Sequence, residues 1–151
     1  MERSLETVVR GSFEPESVID HVTLDLDARR KRRQTLTGAE GTRFLVDLPS
    51  VPTLRNGDGF RLESGDVIEV HAANEPLMEV TIADPAALPR VAWHLGNRHL
   101  PVQFIDGKIL LRADHVIEAM LNKLGAQVRL IEAPFDPEGG AYGIGHTHSH
   151  D

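Results

Sequence analysis

Three histidines near the C-terminal end of the sequence alternate with small polar residues, in His146-Thr147-His148-Ser149-His150. A neutral imidazole donates a lone pair to nickel, copper or zinc without adding charge, so histidine is a usual ligand for these ions. Alternate residues of an extended chain point to one side, and the glycines that precede the tail let it bend. The spacing predicts metal binding by His146, His148 and His150. A solvated polar terminus or a purification-tag remnant is the alternative.

A fourth candidate ligand, His99, follows the end of a helical pattern in the turn Gly96-Asn97-Arg98-His99. One imidazole cannot hold a metal ion strongly. In a twofold dimer with this turn near the axis, however, two copies of His99 face each other and supply two ligands from one position. The simpler interpretation of a lone turn histidine is a hydrogen-bonding group on the surface.

The other histidines give weaker indications. His94 lies beside the only tryptophan, and packing against the indole is favoured over a metal-related role. Asp114 and His115 are adjacent at a predicted helix start, where a capping carboxylate with an exposed histidine and a secondary metal site are equally plausible. The two histidines in the first half have no partner at ligand spacing, and we interpret both as structural: His21 and His71.

Short strands are predicted through the first half of the chain, because apolar and polar residues alternate from Val22 to Leu26. Similar apolar stretches follow between turn residues: 44–48, 59–62 and 67–70. The basic run Arg29-Arg30-Lys31-Arg32-Arg33 is interpreted as a solvated strand or loop edge that discourages edge pairing, or as a docking patch for an acidic partner. The first half therefore reads as a small all-β domain.

The second half has the order β-α-β-β-α-β. Leu88, Val91 and Leu95 form one helical stripe for which Gly96 supplies the stop, while Asp106-Gly107 between apolar runs predicts a hairpin. Asp114 caps a second predicted helix, and residues 127–131 alternate as a last strand. This is the ferredoxin-like arrangement, with two helices on one face of a four-stranded antiparallel sheet whose other face is left free.

The expected fold class is therefore α+β, in three parts. An N-terminal small all-β domain spans 1–75, and a ferredoxin-like βαββαβ domain for metal binding and dimerisation spans 76–133. A flexible Gly/His tail spans 134–151. Domains of this size bury limited apolar surface, which makes a dimer contact plausible.

Composition restricts the function classes. The formal net charge of -7 argues against binding to nucleic acid or an anionic membrane surface, because phosphate contact needs a positive field. No cysteine is present, so a transition-metal site must use imidazole, carboxylate and backbone groups. The N-terminal residues lack the apolar stretch of a signal peptide, and no apolar run approaches a membrane span, so we expect a soluble cytoplasmic protein.

Three groups of residues together resemble the UreE family of urease accessory proteins. They are Trp93-His94-Leu95-Gly96-Asn97-Arg98-His99, then Asp114-His115-Val116, then Gly140-Ala141-Tyr142-Gly143 before a histidine tail. The segment Leu54-Arg55-Asn56-Gly57-Asp58 fits the N-terminal domain of the same family. The Gly-Asn-Arg-His element is the most specific of these features, and the resemblance covers nearly the whole chain.

The resemblance implies a homodimeric nickel metallochaperone that is not an enzyme, with an N-terminal domain, 1–75, of the peptide- or partner-binding kind. Its central ligand corresponds to His99 at the dimer interface, and His146, His148 and His150 match the family's tail ligands by position only. Ni(II) is the cargo, although Zn(II) or Cu(II) can bind the same ligands. The implied partners are the GTPase UreG and apo-urease. His94, Asp114 and His115 are candidates for a secondary site or for support of the ligands.

Two alternatives belong to other classes. A peptide-binding adaptor would use the β domain and bind metal only incidentally. A small zinc hydrolase would use His99, Asp114 and His115 around an activated water, but the sequence has no H-E-x-x-H or comparable spacing.

Overall fold

The computed structural model describes residues 1–139 and divides the chain into two compact units, Met1–Ala73 and the part that begins at Asn74. The first unit contains a six-stranded sheet in the order β2-β6-β5-β1-β4-β3. Its strands are β1 (Glu2–Val8), β2 (Val18–Leu24), β3 (Arg33–Thr37), β4 (Arg43–Asp47), β5 (Gly59–Leu62) and β6 (Val67–Ala72). β1 runs parallel to β4 and β2 runs parallel to β6, while the other pairs are antiparallel. Phe44, Phe60 and Ile68 are fully buried in its apolar core.

The strand predicted over Val22–Leu26 ends earlier, because Asp25 caps a single helical turn. This helix, α1 (Leu26–Arg29), begins where the Asp25 carboxylate accepts a hydrogen bond from the Ala28 N–H at 2.8 Å. Leu26 is buried and belongs to the helix.

The interpretation of the basic run as wholly solvated is wrong at its first residue. Arg29 is fully buried, with its Nη1 donating to the Leu24 carbonyl at 3.0 Å and its Nε to the Leu54 carbonyl at 3.3 Å. A buried guanidinium is tolerated only when its N–H groups find acceptors, and these carbonyls supply them. Lys31, Arg32 and Arg33 are exposed, as expected for the rest of the run.

A second buried charge, Asp20, organises the turn between β3 and β4. Its carboxylate accepts hydrogen bonds from the backbone N–H groups of His21 at 2.7 Å, Glu40 at 2.9 Å and Thr42 at 3.1 Å. Burial raises the pKa of Asp20, but the hydrogen bonds from Glu40, Thr42 and His21 outweigh it and lower the pKa to about 2. Gly38 is required beside it, because a Cβ there would overlap the carboxylate.

The second unit confirms the predicted βαββαβ order. Its elements are β7 (Asn74–Thr81), α2 (Leu88–Asn97), β8 (Gln103–Ile105), β9 (Lys108–Arg112), α3 (His115–Lys123) and β10 (Gln127–Pro134). The sheet order is β10-β7-β9-β8 and every pair is antiparallel. The predicted hairpin joins β8 to β9, with Asp106 and Gly107 both at positive φ, 50° and 73°.

Two helices cover one face of this sheet, where Met78, Val80, Leu95, Ile109 and Leu121 form the core. The opposite face is not free, contrary to the sequence-based expectation. On it Leu77 is fully buried and Leu110 nearly so, and Phe135, which follows β10, is fully buried as well. The chain beyond β10 therefore folds back over part of this face.

Candidate functional site

His99 occupies an unusual backbone position at the end of α2. The helix runs to Asn97 and is capped by Arg98, so Gly96 lies inside it and the predicted stop at Gly96 is wrong. His99 has φ 57°, in the left-handed region, and its N–H donates to the Gly96 carbonyl at 2.9 Å. The Leu100 N–H donates to the Leu95 carbonyl at 3.4 Å. These two bonds form a Schellman motif in which His99 takes the place usually held by glycine.

The left-handed conformation costs a residue with a Cβ on the order of 1 kcal/mol, although histidine tolerates it better than most. The His99 side chain is exposed, so its burial does not compensate this cost. The preceding residue fastens the turn, because Arg98 Nε lies 2.9 Å from Met120 Sδ of α3. An exposed imidazole is thus presented from a turn that is fixed on both sides.

Asp114 and His115 form a second candidate element at the start of α3. The Asp114 Oδ1 atom accepts hydrogen bonds from the N–H groups of Val116 at 2.8 Å and Ile117 at 3.1 Å, as the capping prediction requires. His115, the first residue of the helix, is exposed. The Asp114 carboxylate therefore has a structural role whether or not it contacts a metal ion.

A shallow cavity of about 330 Å³ joins these two elements. Leu100 and Pro101, directly after His99, line one side, and Ala113 and Asp114, directly before His115, line the other. The turn that carries His99 and the cap that precedes His115 are therefore neighbours in space.

The packing interpretation of His94 is confirmed. Its ring meets Trp93 edge to face, with ring centroids 5.1 Å apart and an interplanar angle of 84°. The indole is itself 63% exposed, which is unusual for the only tryptophan of a small domain.

No metal-binding cluster is complete within the described part of the second unit. Across residues 1–139, the structure contains no group of three or more His, Asp or Glu side chains that could hold a metal ion. His146, His148 and His150 lie outside the described residues.

A pair of stacked histidines in the first unit was not predicted from the sequence. His21 on β2 and His71 on β6 stack with ring centroids 4.6 Å apart, and His71 Nε2 lies 2.8 Å from Glu69 Oε1. Parallel pairing of β2 with β6 brings them together across 50 residues of sequence. No spacing signal in the sequence could have indicated this contact.

The fold defines a class of protein: a β domain followed by a ferredoxin-like domain that presents an exposed histidine from the turn after its first helix. Comparison with known proteins makes the class specific. Residues 4–73 match the family model of the UreE urease accessory protein N-terminal domain, and residues 75–151 match that of its C-terminal domain. The chain belongs to the UreE family, as the sequence resemblance indicated.

Individual relatives agree with this assignment, and each bears the name urease accessory protein UreE. The chain is 53% identical over 137 residues to the protein of Bradyrhizobium sp. strain BTAi1, covering 90% of this chain and 66% of that protein. It is 56% identical over 127 residues to that of Bradyrhizobium sp. strain ORS 278, covering 84% and 60%. It is 49% identical over 152 residues to that of Beijerinckia indica, covering 100% and 87%.

The chain therefore spans less than two thirds of the length of the two Bradyrhizobium relatives. The family is one of accessory proteins and not of enzymes, which agrees with the sequence-based expectation. Within residues 1–139, no helix is long and apolar enough to cross a membrane.

Proposed function

We propose that this protein is a nickel metallochaperone that delivers Ni(II) during assembly of the urease active site. Family membership supports the urease connection, and the backbone of His99 supports the site. An exposed imidazole held in a conformation that favours glycine is the observation that carries the proposal, because a position under purely structural constraint would be better filled by glycine.

The ion is bound between two subunits of a homodimer, with one His99 from each. A single imidazole gives one ligand, whereas a twofold axis near the turn supplies a second without any further residue. The exposure of Trp93 supports a second copy on this side of α2, since an indole of this size contributes strongly to interfaces. His99 follows Trp93 by six positions, of which the first four rise about 6 Å along α2.

The tail histidines complete this site. His146, His148 and His150, which match the family's tail ligands by position, supply the remaining imidazoles. An ion held by fewer fixed ligands than a closed structural site can be surrendered once the tail departs. The GTPase UreG and apo-urease are the proposed recipients, and Zn(II) or Cu(II) competes for the same ligands.

His94, Asp114 and His115 are left with secondary roles. The packing of His94 on Trp93 and the capping bonds of Asp114 account for both side chains without a metal ion. His115 is exposed near the same cavity and is a candidate for a weaker site or for transient contact during transfer.

Equilibrium dialysis of the full-length protein against nickel, copper and zinc, combined with native mass measurement, tests the proposal. We expect a dimer with a tight nickel site that His99→Gly abolishes, since this change removes the imidazole and relaxes the backbone. His94→Ala is the matched control and should keep the tight site. Nickel binding of undiminished affinity in His99→Gly, or a monomeric loaded protein, would refute the assignment.

A further inference from the structure

The two edges of the six-stranded sheet differ in what covers them. At the β2 edge, the Ala39 N–H of the turn between β3 and β4 donates to the His21 carbonyl at 2.9 Å. The same turn is bonded to the Asp20 carboxylate through its Glu40 and Thr42 N–H groups. The chain itself therefore covers part of that edge. At the other edge, β3 pairs with β4 and, within residues 1–139, with no further strand.

The hydrogen bonds of the β3–β4 hairpin show which backbone groups of β3 point outward. The Gly38 N–H donates to the Thr42 carbonyl at 2.7 Å, and the Leu48 N–H donates to the Arg32 carbonyl at 2.9 Å. Bonded and non-bonded pairs alternate along an antiparallel ladder, so the even-numbered residues of β3 are the ones bonded to β4. The N–H and C=O groups of the odd-numbered residues are directed away from β4, toward the open edge: Arg33, Thr35 and Thr37.

The open edge lacks the features by which exposed strands usually avoid pairing. Such strands carry a proline, a bulge or a charged residue along the edge. β3 pairs with β4 from Arg33 to Thr37 without a register shift, and its central residue is Thr35, which is exposed, neutral and β-branched. The backbone of β3 can therefore accept another strand.

Positive charge lies at both ends of this edge. Lys31 and Arg32 precede the strand, Arg43 of β4 lies beside its far end, and all three are exposed. Among residues 1–139 these three side chains have no carboxylate partner, whereas the Arg33 guanidinium lies 2.9 Å from Asp47. The whole chain has a net charge of -7, so this edge is opposite in sign to the protein as a whole. A second copy of the edge would bring like charges together, whereas an acidic segment is complementary to it.

We propose that the β3 edge, residues 31–37 together with Arg43, binds an extended acidic segment of a partner protein by strand addition. The outward N–H and C=O groups of β3 bond to the main chain of the segment, and its carboxylates contact the cations at the two ends. Main-chain bonds supply the affinity, and the charges select an acidic sequence. The surface lies in the first unit and shares no residue with the proposed metal site.

Fluorescence anisotropy with the full-length protein and labelled synthetic peptides tests this inference. A heptapeptide of alternating glutamate and valine should bind at low ionic strength. Its fully N-methylated form has the same charge but no main-chain donor, and it should bind at least about tenfold more weakly. A glutamine-valine heptapeptide keeps the donors but has no charge, and it should bind about fivefold more weakly.

The outward direction of the Thr35 N–H allows a matched pair of variants. Thr35→Pro removes a donor that β4 does not use, whereas Thr35→Val keeps both the donor and the β-branched shape. Thr35→Pro should weaken binding of the glutamate-valine peptide about tenfold, and Thr35→Val should stay within about twofold of the parent protein. Circular dichroism and urea denaturation of both variants check that the first unit is folded.

The contribution of charge is tested separately. Lys31→Ala combined with Arg43→Ala should weaken binding of the same peptide about fivefold. Lys123→Ala, which removes an exposed lysine of α3 in the second unit, is the control and should leave binding unchanged.

Hydrogen exchange followed by NMR gives a direct measurement on the unaltered protein. Addition of the glutamate-valine peptide should slow exchange at the amides of Arg33, Thr35 and Thr37. The amides of Gln34 and Leu36 should change little, because β4 already bonds them. This measurement decides the question even if Thr35→Pro proves to be unfolded.

Three results would overturn the proposal: equal binding of the N-methylated peptide, equal binding by folded Thr35→Pro and Thr35→Val, or no added protection at the outward amides. Self-association of the protein that Thr35→Pro abolishes would assign the edge to a second copy of the chain and would also overturn it. Tighter binding of an oligonucleotide of the same charge would assign the cations to nucleic acid instead. None of these results bears on the metal site, which has its own test at His99.

Discussion

Replacing His99 by glycine should make the metal-free protein more stable while it removes the tight metal site. Histidine at φ 57° carries a conformational cost of about 1 to 2 kcal/mol that glycine does not have. Glycine also raises the conformational entropy of the unfolded chain, which offsets about 0.4 to 1 kcal/mol of this stabilisation. The net expectation is a gain of about 0.5 to 1 kcal/mol in the free energy of unfolding of the second unit.

His99→Ala is the matched control, because alanine keeps the Cβ and its clash but lacks the imidazole. We expect its stability to lie within about 0.5 kcal/mol of the parent, so that the glycine variant exceeds it by about 1 kcal/mol. Both variants should lose the tight nickel site. A variant that gains stability while it loses nickel binding has lost a metal ligand and has not been damaged in its fold.

The only tryptophan, Trp93, lies in α2 and reports directly on this unit. Urea denaturation followed by its fluorescence, with a chelator present so that bound metal adds no stability, gives the required free energies at a fixed protein concentration. If glycine and alanine proved equally stable, residue 99 would not adopt the left-handed conformation in solution. The backbone conformation of His99 would then give no support to its role as a metal ligand.

Three further predictions concern buried charge and protonation. Asp20→Asn should lower the free energy of unfolding by about 2 kcal/mol at neutral pH. Because folding depresses the pKa of Asp20, the parent protein should lose that stability as pH falls from about 4 to about 2. Urea denaturation over a series of pH values should show this loss in the parent protein and not in Asp20→Asn. Arg29→Ala should lower the free energy of unfolding by about 2 to 4 kcal/mol, because two carbonyls lose their donors and a cavity forms. Lys31→Ala in the same run should change it by no more than about 0.5 kcal/mol. Equal losses in chemical denaturation would show that Arg29 is not buried. Nickel affinity should fall as pH drops below the ordinary histidine pKa of about 6.5, because only neutral imidazole coordinates. The fall should be up to about tenfold per imidazole ligand for each pH unit. Equal affinities in calorimetric titrations at low and neutral pH would contradict histidine ligation.

Local signals in the sequence were sufficient to predict the order of helices and strands in the second unit. The helical stripes, the Asp114 cap and the Asp106-Gly107 turn each depend on residues within one or two helical turns, and the structure has all three. The sequence predicts the helix end at Gly96, because glycine most easily takes the left-handed conformation in which helices often end. The structure assigns it to His99, and a non-glycine residue there gives no signal in a single sequence.

Features that depend on long-range pairing could not be predicted. β1 is a central strand, yet its alternation is broken where the register shifts between Ser4 and Glu6. Burial of Arg29 requires the Leu54 carbonyl, 25 residues away, and the stack of His21 on His71 requires the parallel register of β2 and β6. The bonds of Asp136 to Gln103 and of Glu138 to Val102 likewise depend on where β8 lies relative to β10.

Helix electrostatics favour His99 over His115 as the primary site. The C-terminal end of α2 is the negative end of the helix dipole, so a cation at His99 would be stabilised by a few tenths to about 1 kcal/mol for each unit of charge. The N-terminal end of α3 has the opposite sign, and the Asp114 carboxylate that could offset it already accepts two backbone N–H bonds. An ion near His115 would lie at the positive end of the dipole of α3, whereas an ion at His99 would lie at the negative end of the dipole of α2. The two exposed histidines near one cavity are therefore unequal, and helix electrostatics support His99 as the proposed metal ligand.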